Sequence, residues 1–215
     1  MGAEQEDPPT AYIRLGELAT RSGDIAAARQ HFQAALEIAE WAVATDPTNA
    51  QSQRNRSLAH GRLGALATTT GDLDEARRHL KTDLNIAENL AAVDGTNRRW
   101  QSDLSFSLDR LGDLEVASGD LRAAARRYRA ALRIRKQLAE AEPNRTEWQR
   151  DLAVSHYKVA VVAEDAGDLP TARSHLEAAL GLFRKVAGLD PDNQRQAANV
   201  ALVEAKLASL SDPPR

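Results

Sequence analysis

Apolar residues return along this chain at helical spacing, in blocks that stop and restart at the same kind of punctuation. Within the stretch from Trp100 to Leu132, Leu104, Leu108, Leu111 and Leu114 fall three or four positions apart, which predicts an amphipathic helix, designated A. Gly119 is placed to end it, because a glycine just past a helix adopts the left-handed conformation that closes the last turn. Asp120 then caps the next helix by accepting a hydrogen bond from its free N–H groups. This second helix, B, carries Leu121, Ala124, Tyr128, Ala131, Leu132 and Leu138 on one face and stops at Glu142-Pro143. Two helices joined by so short a turn are antiparallel neighbours.

The plan recurs at a fixed step of 48 residues. Leu111-Gly112 is matched by Leu15-Gly16, Leu63-Gly64 and Val159-Ala160, and Gly119-Asp120 by Gly23-Asp24, Gly71-Asp72 and Gly167-Asp168. Four copies in register make a repeat array. A glycine inside a helix costs roughly 1 kcal/mol relative to alanine, so the recurrence of Gly16, Gly64 and Gly112 predicts a close approach by helix B. Ala28, Ala76, Ala124 and Ala172 occupy one matching site on B, four residues before Phe32, Leu80, Tyr128 and Leu176. Small and large residues thus alternate as ridges and grooves require.

Leu15-Gly16, Gly23-Asp24, Ala28, Phe32, Ala35-Leu36 and Pro47 resemble the tetratricopeptide repeat signature, and the later copies keep the same internal spacing. The resemblance implies an all-α fold: a right-handed α-solenoid of four antiparallel helix pairs closed by a C-terminal capping helix. The usual repeat has about 34 residues; the surplus here lengthens the end of B and the start of A. Trp100-Gln101 and Trp148-Gln149 open the lengthened A helices, a pattern similar to long-period arrays in bacterial multidomain signalling proteins. Asp83, where the family prefers Ala, and Ala160, in place of Gly, are expected to loosen the packing locally.

The expected organisation is a polar tail over 1–7, a solenoid over 8–211 and a second tail over 212–215. The repeats run approximately 8–47, 48–95, 96–143 and 144–191, and the cap 192–211 carries Val200, Val203, Leu207 and Leu210 on one face. Pro8-Pro9 suits the start of the first helix, and Pro170 the first turn of the fourth B helix. The first copy lacks the Trp-Gln opening, which points to an array cut from a larger protein or to an abbreviated first repeat.

Composition narrows the possibilities. With 42% apolar but only 4% aromatic residues in 215, the core is one of Ala and Leu. A formal charge of −3 gives no pull toward nucleic acid or an anionic membrane, and no apolar run reaches the roughly 18 residues of a membrane span. The absence of cysteine excludes disulfide and thiol chemistry and is compatible with a cytoplasmic location. No phosphate-cradling, nucleophile-elbow, HExxH or EF-hand motif is present, so no catalytic residue, cofactor or metal site is expected and the chain is not read as an enzyme. His31, His79 and His175 recur at one site on successive B helices. Neighbouring copies stand roughly 10 Å apart, too far to share a metal with bonds of about 2 Å, so these read as ordinary polar residues.

One column stands out. The residue before each Leu-Gly position is basic in every copy, Arg14, Arg62, Arg110 and Lys158, and the same step lands on Lys206 in the cap. Four residues earlier stand Thr10, Leu58, Phe106, Val154 and Leu202, on the same helical face. The tetratricopeptide resemblance implies that this face lines a concave groove, so that Arg14, Arg62, Arg110, Lys158 and Lys206, with Leu58, Phe106 and Val154, would receive an acidic, partly hydrophobic peptide or a partner helix. The competing reading pairs Arg14 with Glu17 and Arg110 with Asp113 locally and buries the apolar stripe between A helices. Arg62 and Lys158 face Ala65 and Val161 at the equivalent position, lack that local partner, and are expected to stay available. A second basic stripe, Arg122, Arg126, Arg129, Arg133 and Lys136, reads as a solvated face rather than a nucleic-acid site. The expected function is therefore a protein-interaction module. The alternative is a structural or self-association scaffold for other domains of a larger protein.

Overall fold

The glycine–aspartate punctuation sets the helix boundaries. In the computed structural model, which describes residues 7–190 and 193–211, the chain forms α1 (Pro8–Ser22), α2 (Ile25–Thr45), α3 (Ala50–Thr70), α4 (Leu73–Val93), α5 (Arg98–Ala117), α6 (Leu121–Ala141), α7 (Thr146–Asp165), α8 (Leu169–Leu189) and α9 (Gln194–Ser211). Every element among the described residues is helical. Residues 1–6 of the tail expected over 1–7, the tail expected over 212–215, and residues 191–192 lie outside those residues. Asp7 stands at the head of α1, where its carboxylate accepts from the Asn55 amide at 2.5 Å.

Gly71 shows how one turn works. Its φ of 84° lies in the left-handed region, and its N–H and that of Asp72 donate to the carbonyls of Thr68 and Ala67 at 3.2 and 3.0 Å, closing α3. The Asp72 carboxylate then accepts from the Glu75 N–H at 2.9 Å and starts α4. Asp24, Asp120 and Asp168 do the same for α2, α6 and α8. At the other end of the first two pairs the chain turns back through a different motif: Asp46 and Asp94 each accept from the backbone and hydroxyl of the threonine two residues on.

Helices α1 to α5 and helices α6 to α9 form two compact units. In the first, α1 packs on α2, α2 on α3, α3 on α4 and α4 on α5, while α3 also touches α1 and α5. In the second, α6 packs on α7, α7 on α8 and α8 on α9. In the first unit the A helices therefore stand beside one another, and within each unit successive helices pack in sequence order. The starts of α2, α4, α6 and α8 are spaced 48 residues apart.

The small-residue columns form the inter-helix contacts. Ala28, Ala76, Ala124 and Ala172 are all fully buried, as are Leu80 and Leu176. A Cβ on Gly64 would sit 2.5 Å from Leu80 Cγ, and one on Gly16 would strike the Phe32 ring. At Gly16 and Gly64 the missing side chain thus leaves room for a large B-helix residue. The lengthened A helices have their own packing: Trp148 is buried with Leu138, Ala139 and Leu152, and the Arg145 guanidinium lies 4.4 Å from the centre of its ring.

Candidate functional site

The basic column reaches backwards. From α3, Arg62 pairs with Glu17 of α1; from α5, Arg110 donates to Asp83 of α4 at 2.7 Å. In the second unit Lys158 of α7 lies 5.1 Å from the centre of the Tyr128 ring of α6, and Lys206 of α9 pairs with Glu164 of α7 at 2.7 Å. Each of these cations grips an earlier helix of its own unit. The expectation that Arg62 and Lys158 stay available is corrected accordingly: they lack an i+3 partner, but the neighbouring helices supply one. The local pairing expected for Arg110 with Asp113 gives way to the buried Asp83, which offers a stronger electrostatic environment than a surface carboxylate.

Asp83 is the centre of a polar cluster. It is fully buried, accepts from the Ser57 hydroxyl at 2.6 Å, and binds Arg110, whose side chain is 11% exposed. Gly61 makes room for it, since a Cβ there would lie 2.5 Å from Arg110 Nη1 and 2.7 Å from Asp83 Oδ2. The expected loosening at Asp83 is corrected: the carboxylate exchanges apolar packing for a charge-assisted pair and a hydroxyl donor. Burial lowers the Arg62 guanidinium below its ordinary value, and the nearby Arg110 charge adds to this. Parallel connections tie α3 to α5, where Arg54 holds Asp103 through two hydrogen bonds of 2.5 and 3.0 Å. In the second unit Arg135, 2% exposed, donates to Ser155 at 2.7 Å.

The apolar members of the face divide. Phe106 is 38% exposed on α5, whereas Leu58 packs against Ile13, Ala35 and Ala59, and Val154 packs against the cluster of Ala153, Leu176 and Phe183. Arg14 is exposed on α1, and Leu202 on α9. Within the first unit, Arg62 borders a cleft of about 280 Å³ with Glu17 and Arg21 on its rim and Phe32, Ala65 and Leu66 beneath. Arg62 Nε is buried there with no acceptor in reach among the described residues. A second cleft, of about 330 Å³, lies in the other unit over Val159, Val162 and Ala163. Arg122, Arg126 and Arg129 of the second basic stripe line it.

Histidines pair in a way that the B-helix column alone does not reveal. His60 meets His79 with 2.8 Å between their Nδ1 atoms, and His156 meets His175 at 2.9 Å. Burial first, then the partner ring and a neighbouring cation (Arg56 or Lys136), pushes His60 and His156 down to about 4. Between their ordinary value near 6.5 and about 4, the unfolded chain binds protons that the native chain refuses. This contribution to stability is complete above pH 6.5 and is lost as pH falls through about 4. Melting temperatures measured from pH 7.5 down to 4.5 should drop more steeply for the wild type than for the His60→Leu/His156→Leu variant. Parallel curves would show that the pairs do not carry the effect.

The packing defines an all-α helical-repeat fold. Tetratricopeptide repeat models match residues 9–40 and 57–82, so the chain carries tetratricopeptide repeats in its first unit. No curated protein sequence matches it. Among solved structures, the apo form of RapI superposes with a TM-score of 0.61 at 13% identity, over 94% of this chain and 64% of RapI. The chain therefore spans less than two thirds of the length of RapI. BtubC from P. vanneervenii gives 0.60 at 17% identity, over 96% of this chain and 83% of BtubC. A putative kinesin light chain of Podosopora anserina with nearly identical TPR-like repeats gives 0.59 at 17% identity, over 94% and 98%. At these identities the likeness is one of fold. No helix among the described residues is long and apolar enough to cross a membrane.

Proposed function

We propose that the chain is a protein-interaction module that binds an acidic, partly apolar peptide or partner helix on the A-helix face of its repeats. The binding residues would be Arg14, Arg62, Arg110, Lys158 and Lys206 with Leu58, Phe106 and Val154. In this reading the repeats are a long-period form of the tetratricopeptide repeat, of the kind found in bacterial multidomain signalling proteins, and the protein acts in the cytoplasm. The observation that carries it is the cleft beside Arg62: an apolar floor of Phe32 and Leu66 and, at its edge, a cationic side chain that keeps 34% of its surface exposed while it pairs with Glu17. A carboxylate or backbone carbonyl of a ligand would meet the solvent-facing edge of the guanidinium while apolar side chains cover the floor. Arg110, tied to Asp83, would act through the shape and potential of the face.

Binding to arrays of acidic peptides tests the reading. Arg62→Glu should abolish binding while lowering stability by less than about 1 kcal/mol, because the Arg62–Glu17 pair is partly solvated. Wild-type affinity should fall as salt rises above physiological strength, where screening already acts over about 8 Å. Unchanged binding of an identified partner by both Arg62→Glu and Phe106→Ser would remove the A-helix face from the account.

A specific observation favours the second reading, self-association. Leu15 and Leu18 on α1 are 46% and 58% exposed, yet their repeat equivalents Leu63, Leu66, Leu111, Leu114, Val159 and Val162 are at most 5% exposed. At the inner position, Leu63 and Leu66 are covered by Ala28 and Phe32 of α2. Light scattering that shows a dimer dispersed by Leu15→Glu/Leu18→Glu would support this reading; a monomer at high concentration would exclude it.

A further inference from the structure

The two histidine pairs serve neither of these surfaces, and they share one geometry. His60 on α3 and His79 on α4 stand with ring centroids 5.1 Å apart and planes inclined by 44°; for His156 on α7 and His175 on α8 the values are 5.1 Å and 40°. The residues occupy the same two repeat positions, 96 residues apart. The first repeat has Tyr12 and His31 there, with ring centroids 6.2 Å apart. Two neutral imidazoles in Nδ1-to-Nδ1 contact share a single proton, so both nitrogens are aimed at one point between the rings.

That point suits a metal ion. Imidazole nitrogens bind zinc at about 2.0–2.1 Å in tetrahedral geometry, which separates two ligand nitrogens by about 3.3 Å. From 2.8 and 2.9 Å, each pair needs to open by about half an ångström, a displacement within reach of small χ rotations in half-buried rings. We propose that His60 with His79, and His156 with His175, form two separate two-imidazole sites for a divalent ion of the zinc, nickel and copper class. On binding, the shared proton moves from Nδ1 to Nε2 of its own ring, both Nδ1 lone pairs pass to the metal, and no net proton is released. Water completes the coordination, since among the described residues no group of three His, Cys, Asp or Glu closes on either pair. Calcium and magnesium, which demand oxygen donors, do not suit the site.

The surroundings rank the two sites. Near the first pair stand Arg56 on α3, Glu75 and Arg78 on α4, and Arg29 and Glu40 on α2, with Arg29 holding Glu75 at 2.6 Å. Near the second stand Lys136 and Arg129 of α6. Glu75, one helical turn before His79, and Glu40 offset two of the three cations there, whereas no carboxylate offsets the two at the second pair, so the first site binds more tightly.

Zinc alone is the probe, titrated into the whole chain at neutral pH against a chromophoric chelator. The expected stoichiometry is two ions per chain; His60→Gln should remove the tighter one, and His60→Gln/His156→Gln both, with helicity retained. Nitrogen-15 spectra of the wild type should show zinc shifting His60, His79, His156 and His175 and leaving His31 in place, a readout independent of whether any variant folds. The proposal is overturned by a chain that takes up no zinc, by a stoichiometry that the double variant leaves unchanged, or by spectra in which the four paired rings do not move.

Discussion

Arg110→Ala should lower the stability of the protein by about 3–5 kcal/mol, the usual consequence of removing one partner from a buried ion pair. Asp83 has no access to solvent, and without the guanidinium its charge keeps the Ser57 hydroxyl but loses its counter-ion. Arg110→Glu should be worse, because it would set a second carboxylate against the first. The double change Asp83→Ala/Arg110→Leu should recover most of the loss, since removing both charges removes the desolvation cost as well. Alanine is what the other three copies carry at this position, Ala35, Ala131 and Ala179, and all three are fully buried. Urea unfolding of the single and double variants measures the difference. An Arg110→Ala variant as stable as the wild type would mean that the pair is solvated in solution. Charge reversal along the whole basic column is therefore a poor probe of binding, because it confounds recognition with folding; Arg62 is the informative member.

Leu80→Ala should cost about 2–5 kcal/mol, as a fully buried leucine leaves both its transfer energy and a cavity behind. Gly64→Ala, which pushes a methyl group to 2.5 Å from Leu80 Cγ, should cost about 1–3 kcal/mol by overpacking, less the roughly 1 kcal/mol that alanine returns in helix propensity. Combined, the two should cost less than their sum, because the new methyl group enters the space that Leu80 vacates. Thermal or denaturant unfolding of the three variants completes the cycle. Strict additivity would show that α3 and α4 do not meet at this point.

Much of this fold was legible because its determinants are local. Gly71-Asp72 specifies a left-handed turn and a cap by the chemistry of two adjacent residues, and Gly64 announces a close helix contact by its cost in propensity. The partners of the basic column were not legible in this way. Arg62, Arg110 and Lys206 each bridge to a different helix, and an i, i+3 search sees only the helix on which the residue lies. Asp83 was misleading for the same reason, since its compensation comes from Ser57 and Arg110, on two other helices. The histidine pairs were within reach of the sequence. Aligning the A column of Tyr12, His60, Leu108 and His156 with the B column of His31, His79, Arg127 and His175 marks repeats two and four as the copies with histidine in both places. Reading only along the B helices missed it.

The central claim is that the A-helix face receives the partner. Its most direct test is a backbone and methyl chemical-shift map of the protein with a bound partner. The account predicts perturbations centred on Leu58, Arg62 and Phe106, on α3 and α5. Perturbations confined to the outer faces of α2 and α4, with α3 and α5 unmoved, would contradict it.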